Sequence, residues 1–296
     1  MRKNKHKRKK IVLIVILIII FVIICQPSVI QDSDEKFERK CSLYSWEVAD
    51  VDYNKLESIC EDLKINCFYQ YVPTRQINTK EIEMLVEKLY LMDVKFYLLV
   101  GEHEYAYDQQ MFDMESIIDE VVVFNQNNEI KIEGIVFDVE FYLDEYKYNS
   151  NSKRDCFEDY YNNMKNAYDY SRNKDIEFIT VIPYWLDTEI GESELEKLIK
   201  NACDTVEVMN YYKSKTIEHI ENETKFAKKY NKEIVTISEL QDENVKSIVP
   251  EITFFYDGLK NCRKSMEKIL QRYKYDKMGY AYHYYKYVKI LYEKIQ

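Results

Sequence analysis

Short runs rich in β-branched and aromatic residues alternate with longer helical stretches, and the alternation completes eight rounds between residues 42 and 296. Such an alternation is typical of parallel strands, because each helix returns the chain to the start of the next strand. Eight units are the number that closes a (β/α)8 barrel. We therefore predict an α/β fold with a TIM-type barrel, and an open doubly wound sheet is the alternative.

The predicted strands and helices follow one another in order. The strands cover residues 42–46, 66–71, 95–101, 134–140, 177–182, 205–209, 233–238 and 277–282. The helix after the second strand has a clear signal, because Asn78 and Glu81 form a capping-box pattern and apolar residues recur at helical spacing from Ile82 to Leu89. No glycine-rich phosphate loop follows any strand, which argues against a nucleotide-binding protein.

The first 25 residues have the pattern of a secretory signal or a signal anchor. A basic run at residues 2–10 precedes an uninterrupted apolar run at residues 11–25. By the positive-inside rule, the rest of the chain is expected outside the cytoplasm. No A-x-A-like cleavage site follows, so we predict an uncleaved single-pass membrane anchor. Signal cleavage with secretion, or lipidation at Cys25, is the alternative.

This pattern divides the chain into an anchor or signal segment at 1–30, a polar linker at 31–40 and a barrel domain at 41–296. The first ten residues hold seven of the 42 lysine and arginine residues, so the remainder sets 35 basic against 52 acidic residues and has a net charge of −17. We do not expect so acidic a domain to bind nucleic acid, because binding to nucleic acid relies on basic residues that neutralise phosphates.

Metal and cofactor sites are not indicated. Six cysteines follow Cys25, none of them in a CxxC pair, and the chain has four histidines. We predict buried free thiols, no metal site and no cofactor, although an exported domain also permits disulfides.

Aromatic and acidic residues gather where the predicted strands end, which is where (β/α)8 barrels place their sites. Flat rings stack on sugar faces and acids bond sugar hydroxyls, so this combination predicts a carbohydrate site. The predicted sugar-binding residues are Trp46, Glu47, Tyr69, Gln70, Glu102, Tyr184, Trp185, Asn210, Tyr212, Glu239 and Tyr282.

Two carboxylates end the fourth predicted strand. Asp138 and Glu140 are two residues apart, so their side chains share one face of the strand. Two carboxyl groups held together raise one pKa, which suits a general acid. A solvated start of a loop is the structural alternative.

The segment 133–140, with sequence EGIVFDVE, resembles the DGxDxDxE motif on the fourth strand of glycoside hydrolase family 18, the chitinase-like barrels. The segment 209–212, with sequence MNYY, resembles that family's M-x-Y-D motif on the sixth strand. Three motif acids are replaced here, by Glu133, Val136 and Tyr212. The Asp138-x-Glu140 core is retained.

This resemblance implies a polysaccharide substrate with N-acetyl sugars, such as peptidoglycan or a chitin-like glycan. It implies that Glu140 protonates the leaving oxygen, while Asp138 and Tyr211 hold the acetamido group that attacks the anomeric carbon. Two alternatives stay open. One is a catalytically inactive glycan-binding or scaffold barrel, and the other is a retaining glycosidase that uses Glu140 and Glu239 as its carboxylate pair.

Overall fold

A computed structural model describes residues 38–73, 75–107, 111–143, 153–245 and 247–294. Eight parallel strands close into one barrel in chain order, with β8 paired to β1. The closed barrel confirms the predicted fold class and excludes the open sheet. The strands are β1 Cys41–Ser45, β2 Cys67–Tyr71, β3 Lys95–Val100, β4 Gly134–Phe137, β5 Glu177–Pro183, β6 Thr205–Met209, β7 Glu233–Glu239 and β8 Met278–His283.

Helices connect successive strands and pack around the outside of the barrel. They are α1 Tyr53–Leu63, α2 Lys80–Tyr90, α3 Met111–Asn127, α4 Lys153–Arg172, α5 Leu186–Glu189, α6 Glu192–Asn201, α7 Glu221–Tyr230, α8 Gly258–Tyr273 and α9 Tyr285–Glu293. Short 3-10 turns after β1, β3 and β4 and before α7 complete the connections.

Two element boundaries differ from the prediction. β4 ends at Phe137, so Asp138 and Glu140 lie just beyond the hydrogen-bonded strand. The N-cap of α2 is Thr79, which has an extended backbone conformation and makes no side-chain capping bond. The capping box predicted at Asn78 is therefore wrong, and α2 is held instead by its buried apolar face.

Buried side chains form two layers because neighbouring residues of each strand point to opposite faces. One layer lies between the strands and the helices, and includes Phe68, Phe137 and Tyr282. The other fills the lumen of the barrel. The lumen residues are Tyr44, Cys67, Tyr69, Tyr97, Leu99, Val136, Ile179, Val181, Met209, Val235, Ile237 and Ala281. The lumen is thus a packed core, and a ligand has access at its ends.

An ion-pair network occupies the N-terminal end of the lumen. The Lys40 ammonium lies 2.9 Å from Glu177 and 2.8 Å from Glu233. Tyr97 donates a hydrogen bond of 2.8 Å to Glu177. These contacts fill the end of the barrel opposite to the predicted site, which leaves the C-terminal ends of the strands as the mouth.

All six cysteines of the described residues are buried free thiols. No helix within the ranges that the structure describes is long and apolar enough to span a membrane. The predicted anchor at residues 11–25 and most of the predicted linker lie outside these ranges.

Candidate active site

The C-terminal ends of five strands bring charged and aromatic side chains together at the mouth. Strand alternation turns these side chains into the lumen, since each is two or four residues beyond an inward-facing core residue. They are Trp46 after β1, Asp138 and Glu140 after β4, Tyr211 after β6, Glu239 on β7 and His283 on β8.

Asp138 and Glu140 form a pair of acids at the mouth, of which Asp138 is buried and Glu140 is half-buried. Asp138 is 8% exposed, and its Oδ1 atom has no hydrogen-bond partner within the described part of the chain. Burial, reinforced by the charge of Glu140, raises the pKa of Asp138 to about 8. Burial also raises the pKa of Glu140, although the Tyr142 hydroxyl donates a hydrogen bond to its Oε2 atom and opposes that rise. The pair therefore holds a proton near neutral pH, as a general acid must.

Glu239 and His283 form a hydrogen-bonded chain with Trp46 beside this pair. His283 Nδ1 lies 2.9 Å from Glu239 Oε2, and the Trp46 indole N–H donates to His283 Nε2 at 2.9 Å. The Trp46 donor needs a lone pair on Nε2, so this arrangement places the proton of neutral His283 on Nδ1. Burial by itself would lower the pKa of His283. The charge and hydrogen bond of Glu239 outweigh burial, so the pKa of His283 is raised.

Both oxygens of the Glu239 carboxylate make hydrogen bonds. Its Oε1 atom accepts the backbone N–H groups of Leu240 at 2.8 Å and Gln241 at 2.7 Å. Its Oε2 atom bonds His283 and also accepts the Gln241 side-chain amide at 3.1 Å. Burial alone would raise the pKa of Glu239, but the electrostatic effect of His283 and the hydrogen bonds from His283 and Gln241 hold it below its usual value. Glu239 is thus an ionised acid that orients His283.

The Trp46 indole forms one wall of the mouth. Its ring centroid lies 5.6 Å from that of Tyr71. A Cβ atom at Gly101 would come within 3.1 Å of the indole, so the absence of a side chain there lets the ring lie against β3. The Tyr71 hydroxyl in turn donates to Glu102 at 2.9 Å. Two predicted sugar-binding residues, Trp46 and Glu102, therefore share this side of the barrel.

An open pocket of about 360 Å³ adjoins the acid pair through Tyr142. Tyr142, Tyr184 and Trp185 line it, together with the ion-paired Lys153 and Glu189. The rings of Tyr142 and Trp185 meet edge to face at 4.8 Å.

Tyr212 lies beside this pocket, because its ring is 5.8 Å from that of Tyr184. It is 42% exposed. The predicted residues Tyr184, Trp185 and Tyr212 thus form an aromatic surface next to Glu140.

Other predicted sugar-binding residues lie elsewhere. Gln70, Asn210 and Tyr282 alternate to the outer face of their strands and are buried under the helices, so they do not line the mouth. Asn210 holds the loop after β6 by donating to the Thr216 carbonyl at 2.7 Å. Tyr69 lies deep in the lumen and is fully buried, and Glu47 is an exposed residue outside it.

Sequence reasoning missed Tyr142 and Glu207, and at the end of β8 it chose Tyr282 instead of His283 as a site residue. His283 directly follows the predicted Tyr282, so an error of one residue in the phase of β8 selected the wrong neighbour. Tyr142 lies beyond the predicted strand, and no motif marked it. Glu207 carried a usable signal, since an acid between Val206 and Val208 is unusual inside a buried strand.

No family model matches the chain, and no curated protein matches it. Among solved structures, the spore cortex-lytic enzyme SleL of Bacillus megaterium aligns with a TM-score of 0.53 and 10% identity, over 86% of this chain and 74% of that one. The PgaB glycoside hydrolase domain of Bordetella bronchiseptica aligns with a TM-score of 0.51 and 8% identity, over 85% and 96% of the two chains.

A barrel of another class also aligns. D-psicose 3-epimerase of Clostridium cellulolyticum gives a TM-score of 0.51 and 9% identity, over 83% of this chain and 85% of that one. At these identities the likeness establishes the fold alone. The chain shares its barrel fold with a glycoside hydrolase domain, a spore cortex-lytic enzyme and a sugar epimerase.

Proposed function

We propose that this protein is a glycoside hydrolase that acts on a glycan containing N-acetyl sugars. The observation that carries the proposal is the acid pair at the mouth, in which Glu140 is half-buried and the buried Asp138 keeps an oxygen without a partner in the described residues. A buried polar atom that lacks a partner costs free energy unless a ligand satisfies it. The acetamido N–H of a bound sugar is a donor of the required kind.

In the proposed reaction, Glu140 gives its proton to the glycosidic oxygen as the bond between that oxygen and the anomeric carbon breaks. The acetamido oxygen of the same sugar bonds to the anomeric carbon, while Asp138 and Tyr211 orient the acetamido group. Water then adds to the anomeric carbon, the acetamido group is released, and the Glu140 carboxylate takes up a proton. No protein nucleophile is required.

The aromatic surroundings suit a chain of sugar rings. Trp46 offers a ring face at the mouth, held in place by its bond to His283. The pocket beside Tyr142 offers Tyr184 and Trp185 to a neighbouring ring of the glycan. Pockets lined by aromatic side chains with a few polar groups are typical of ligand sites.

The alternative mechanism, a retaining glycosidase that uses Glu140 and Glu239 as its carboxylate pair, receives less support. A nucleophilic carboxylate needs an oxygen that reaches the anomeric carbon. Both Glu239 oxygens accept hydrogen bonds from His283, Leu240 and Gln241, and the residue is 1% exposed. We infer an orienting role for Glu239.

The cellular setting is proposed from the sequence pattern. The basic run at 2–10 and the apolar run at 11–25 support a membrane tether with the barrel outside the cytoplasm. An envelope glycan such as peptidoglycan is the polysaccharide that such a location would offer. Nucleic acid is not proposed as a partner, because the chain beyond residue 10 is strongly acidic.

The test is to assay the full-length chain, in mild detergent, on N-acetylated chitooligosaccharides and on peptidoglycan. The matched control is the same oligosaccharides after de-N-acetylation. We expect new reducing ends from the N-acetylated substrates alone, because the acetamido group is a reactant. Equal cleavage of both forms would contradict the substrate-assisted mechanism. Binding without cleavage of either form would favour the inactive glycan-binding barrel.

Replacing Tyr142 by Phe should move the alkaline limb of the kcat/KM profile to higher pH. The Tyr142 hydroxyl bonds the charged form of Glu140 and so lowers the pKa of Glu140. Loss of this bond raises the pKa of Glu140, and the general acid then stays protonated to higher pH. Tyr184→Phe is the control, since Tyr184 lines the same pocket and makes no hydrogen bond to Glu140 within the described part of the chain. An alkaline limb that stays in place in Tyr142→Phe would contradict this role.

A further inference from the structure

The Trp46 indole is fixed at the mouth through its one polar group. An indole ring has a single hydrogen-bonding group, its N–H, and in Trp46 this N–H donates to His283 Nε2 at 2.9 Å. The opposite edge of the ring lies over Gly101, which has no side chain to hold it. The remaining ring contact is with Tyr71, at 5.6 Å and a tilt of 40°. The orientation of the ring therefore depends on the bond to His283.

His283 can accept this bond in only one protonation state. Its Nδ1 atom lies 2.9 Å from Glu239 Oε2 and directs a proton toward that carboxylate. The Nε2 atom keeps a lone pair for Trp46 as long as the imidazole is neutral. A second proton would go to Nε2, and both ring nitrogens would then be donors. Protonation of His283 thus removes the acceptor of the Trp46 N–H.

The surroundings of His283 bring this protonation near neutral pH. The residue is 9% exposed, and burial by itself disfavours the imidazolium. The charge and hydrogen bond of Glu239, with smaller effects of Asp138 and Glu140, outweigh burial and raise the pKa of His283 above its usual value. Histidine already titrates near neutral pH when it is unperturbed. The bond between His283 and Trp46 is therefore sensitive to pH in a range where proteins stay folded.

Side chains from all sides of the mouth face His283 and Trp46. The titratable groups among them are Tyr44 on β1, Tyr71 on β2, Glu102 after β3, Asp138 and Glu140 after β4, Tyr211 after β6, Glu239 on β7 and Tyr284 after β8. The Tyr44 hydroxyl in turn donates to the buried Glu207 of β6 at 2.5 Å. Because the pKa of Asp138 is raised to about 8, a test has to separate its titration from that of His283.

We propose that His283 is a positioning residue for Trp46, and that the chain from Glu239 through His283 to Trp46 is a pH-dependent latch for this wall of the mouth. With neutral His283, the indole N–H is bound and the ring is fixed. With protonated His283, the N–H has to find another acceptor and the ring leaves this position. A sugar ring that stacks on Trp46 then binds more weakly, a consequence that rests on the proposed function.

The test follows the indole N–H of Trp46 in 1H–15N spectra of the full-length chain as the pH is lowered. The chain has two tryptophans, so two indole signals are expected, and Trp185→Phe identifies the one from Trp46. We expect the Trp46 proton to move to lower frequency on acidification, because the N–H loses its acceptor. A Trp46 signal that does not titrate in the wild-type protein would overturn the proposal.

His283→Gln is the matched variant. Its amide oxygen can accept the indole N–H and does not titrate, whereas Asp138 and Glu140 are still present. The Trp46 signal should therefore lose its titration in this variant. A titration that persists unchanged in folded His283→Gln would belong to the carboxyl groups and would overturn the proposal.

Glu239→Gln provides a second variant if His283→Gln fails to fold. The negative charge beside Nδ1 favours the imidazolium, so its removal should lower the midpoint of the Trp46 titration by about one pH unit or more. A midpoint that stays in place or rises would contradict the latch.

Glycan binding separates this proposal from the proposed function. In Glu140→Gln, which should bind without cleaving, we expect the affinity for N-acetylated chitooligosaccharides to fall about two- to tenfold below the midpoint, the equivalent of one net hydrogen bond. Adding His283→Gln should abolish this fall, and an equal pH dependence in both proteins would overturn the role of the latch in binding. A wild-type protein that neither binds nor cleaves glycan would overturn the proposed function, whereas the NMR titration would still decide whether His283 fixes Trp46.

Discussion

Replacing Glu140 by Gln should lower glycan cleavage by about a hundred- to ten-thousand-fold, the range that general acid catalysis contributes. The amide preserves the shape of the side chain and can still contact the Tyr142 hydroxyl, but it has no proton to give to the leaving oxygen. The measurement is release of reducing ends from N-acetylated oligosaccharides by the full-length chain. Glycan binding, measured separately, should be retained, because the aromatic walls of the mouth are untouched.

The matched control for this variant is Glu104→Gln. Glu104 lies in the turn after β3, and its side chain is 60% exposed. Its replacement should leave cleavage unchanged. Near-normal turnover by Glu140→Gln would exclude Glu140 as the acid. If a folded Glu239→Gln variant lost glycan cleavage to a similar extent, the two-carboxylate mechanism would be supported instead.

A methyl group added at Gly279 should destabilise the barrel by about 3 kcal/mol, which is the upper end of the usual cost of overpacking. Its Cβ atom would lie 2.2 Å from the Lys40 carbonyl oxygen. That carbonyl accepts the backbone N–H of Tyr280 at 3.0 Å and so belongs to the seam that closes β8 against β1. The clash is with backbone, which cannot move aside without opening the seam.

Urea unfolding of Gly279→Ala, followed by tryptophan fluorescence, measures this effect. Gly258→Ala is the control, because nothing lies within 4 Å of an added Cβ atom there. The positive φ of Gly258, 77°, still makes alanine unfavourable by about 1 kcal/mol. A loss of stability in Gly279→Ala no greater than in Gly258→Ala would show that the seam tolerates a side chain.

Much of the fold was predictable from local pattern. The alternation of strands and helices depends on spacing that is visible along the chain, and eight units have one common way to close. The side-by-side placement of Asp138 and Glu140 was also predictable, because residues two apart on an extended segment share a face. The sequence thus determined the barrel, its mouth and the acid pair within it.

The surroundings of that pair depend on strand phase and on contacts across the barrel. A one-residue difference in phase decides that His283, and not Tyr282, faces the lumen, and local sequence does not reveal this phase in a strand buried on both sides. Trp46 meets His283 across a separation of 237 residues, and Tyr44 meets Glu207 across 163. Only closure of the barrel brings such distant groups together, so the tertiary structure alone decided which side chains meet at the mouth and in the lumen below it.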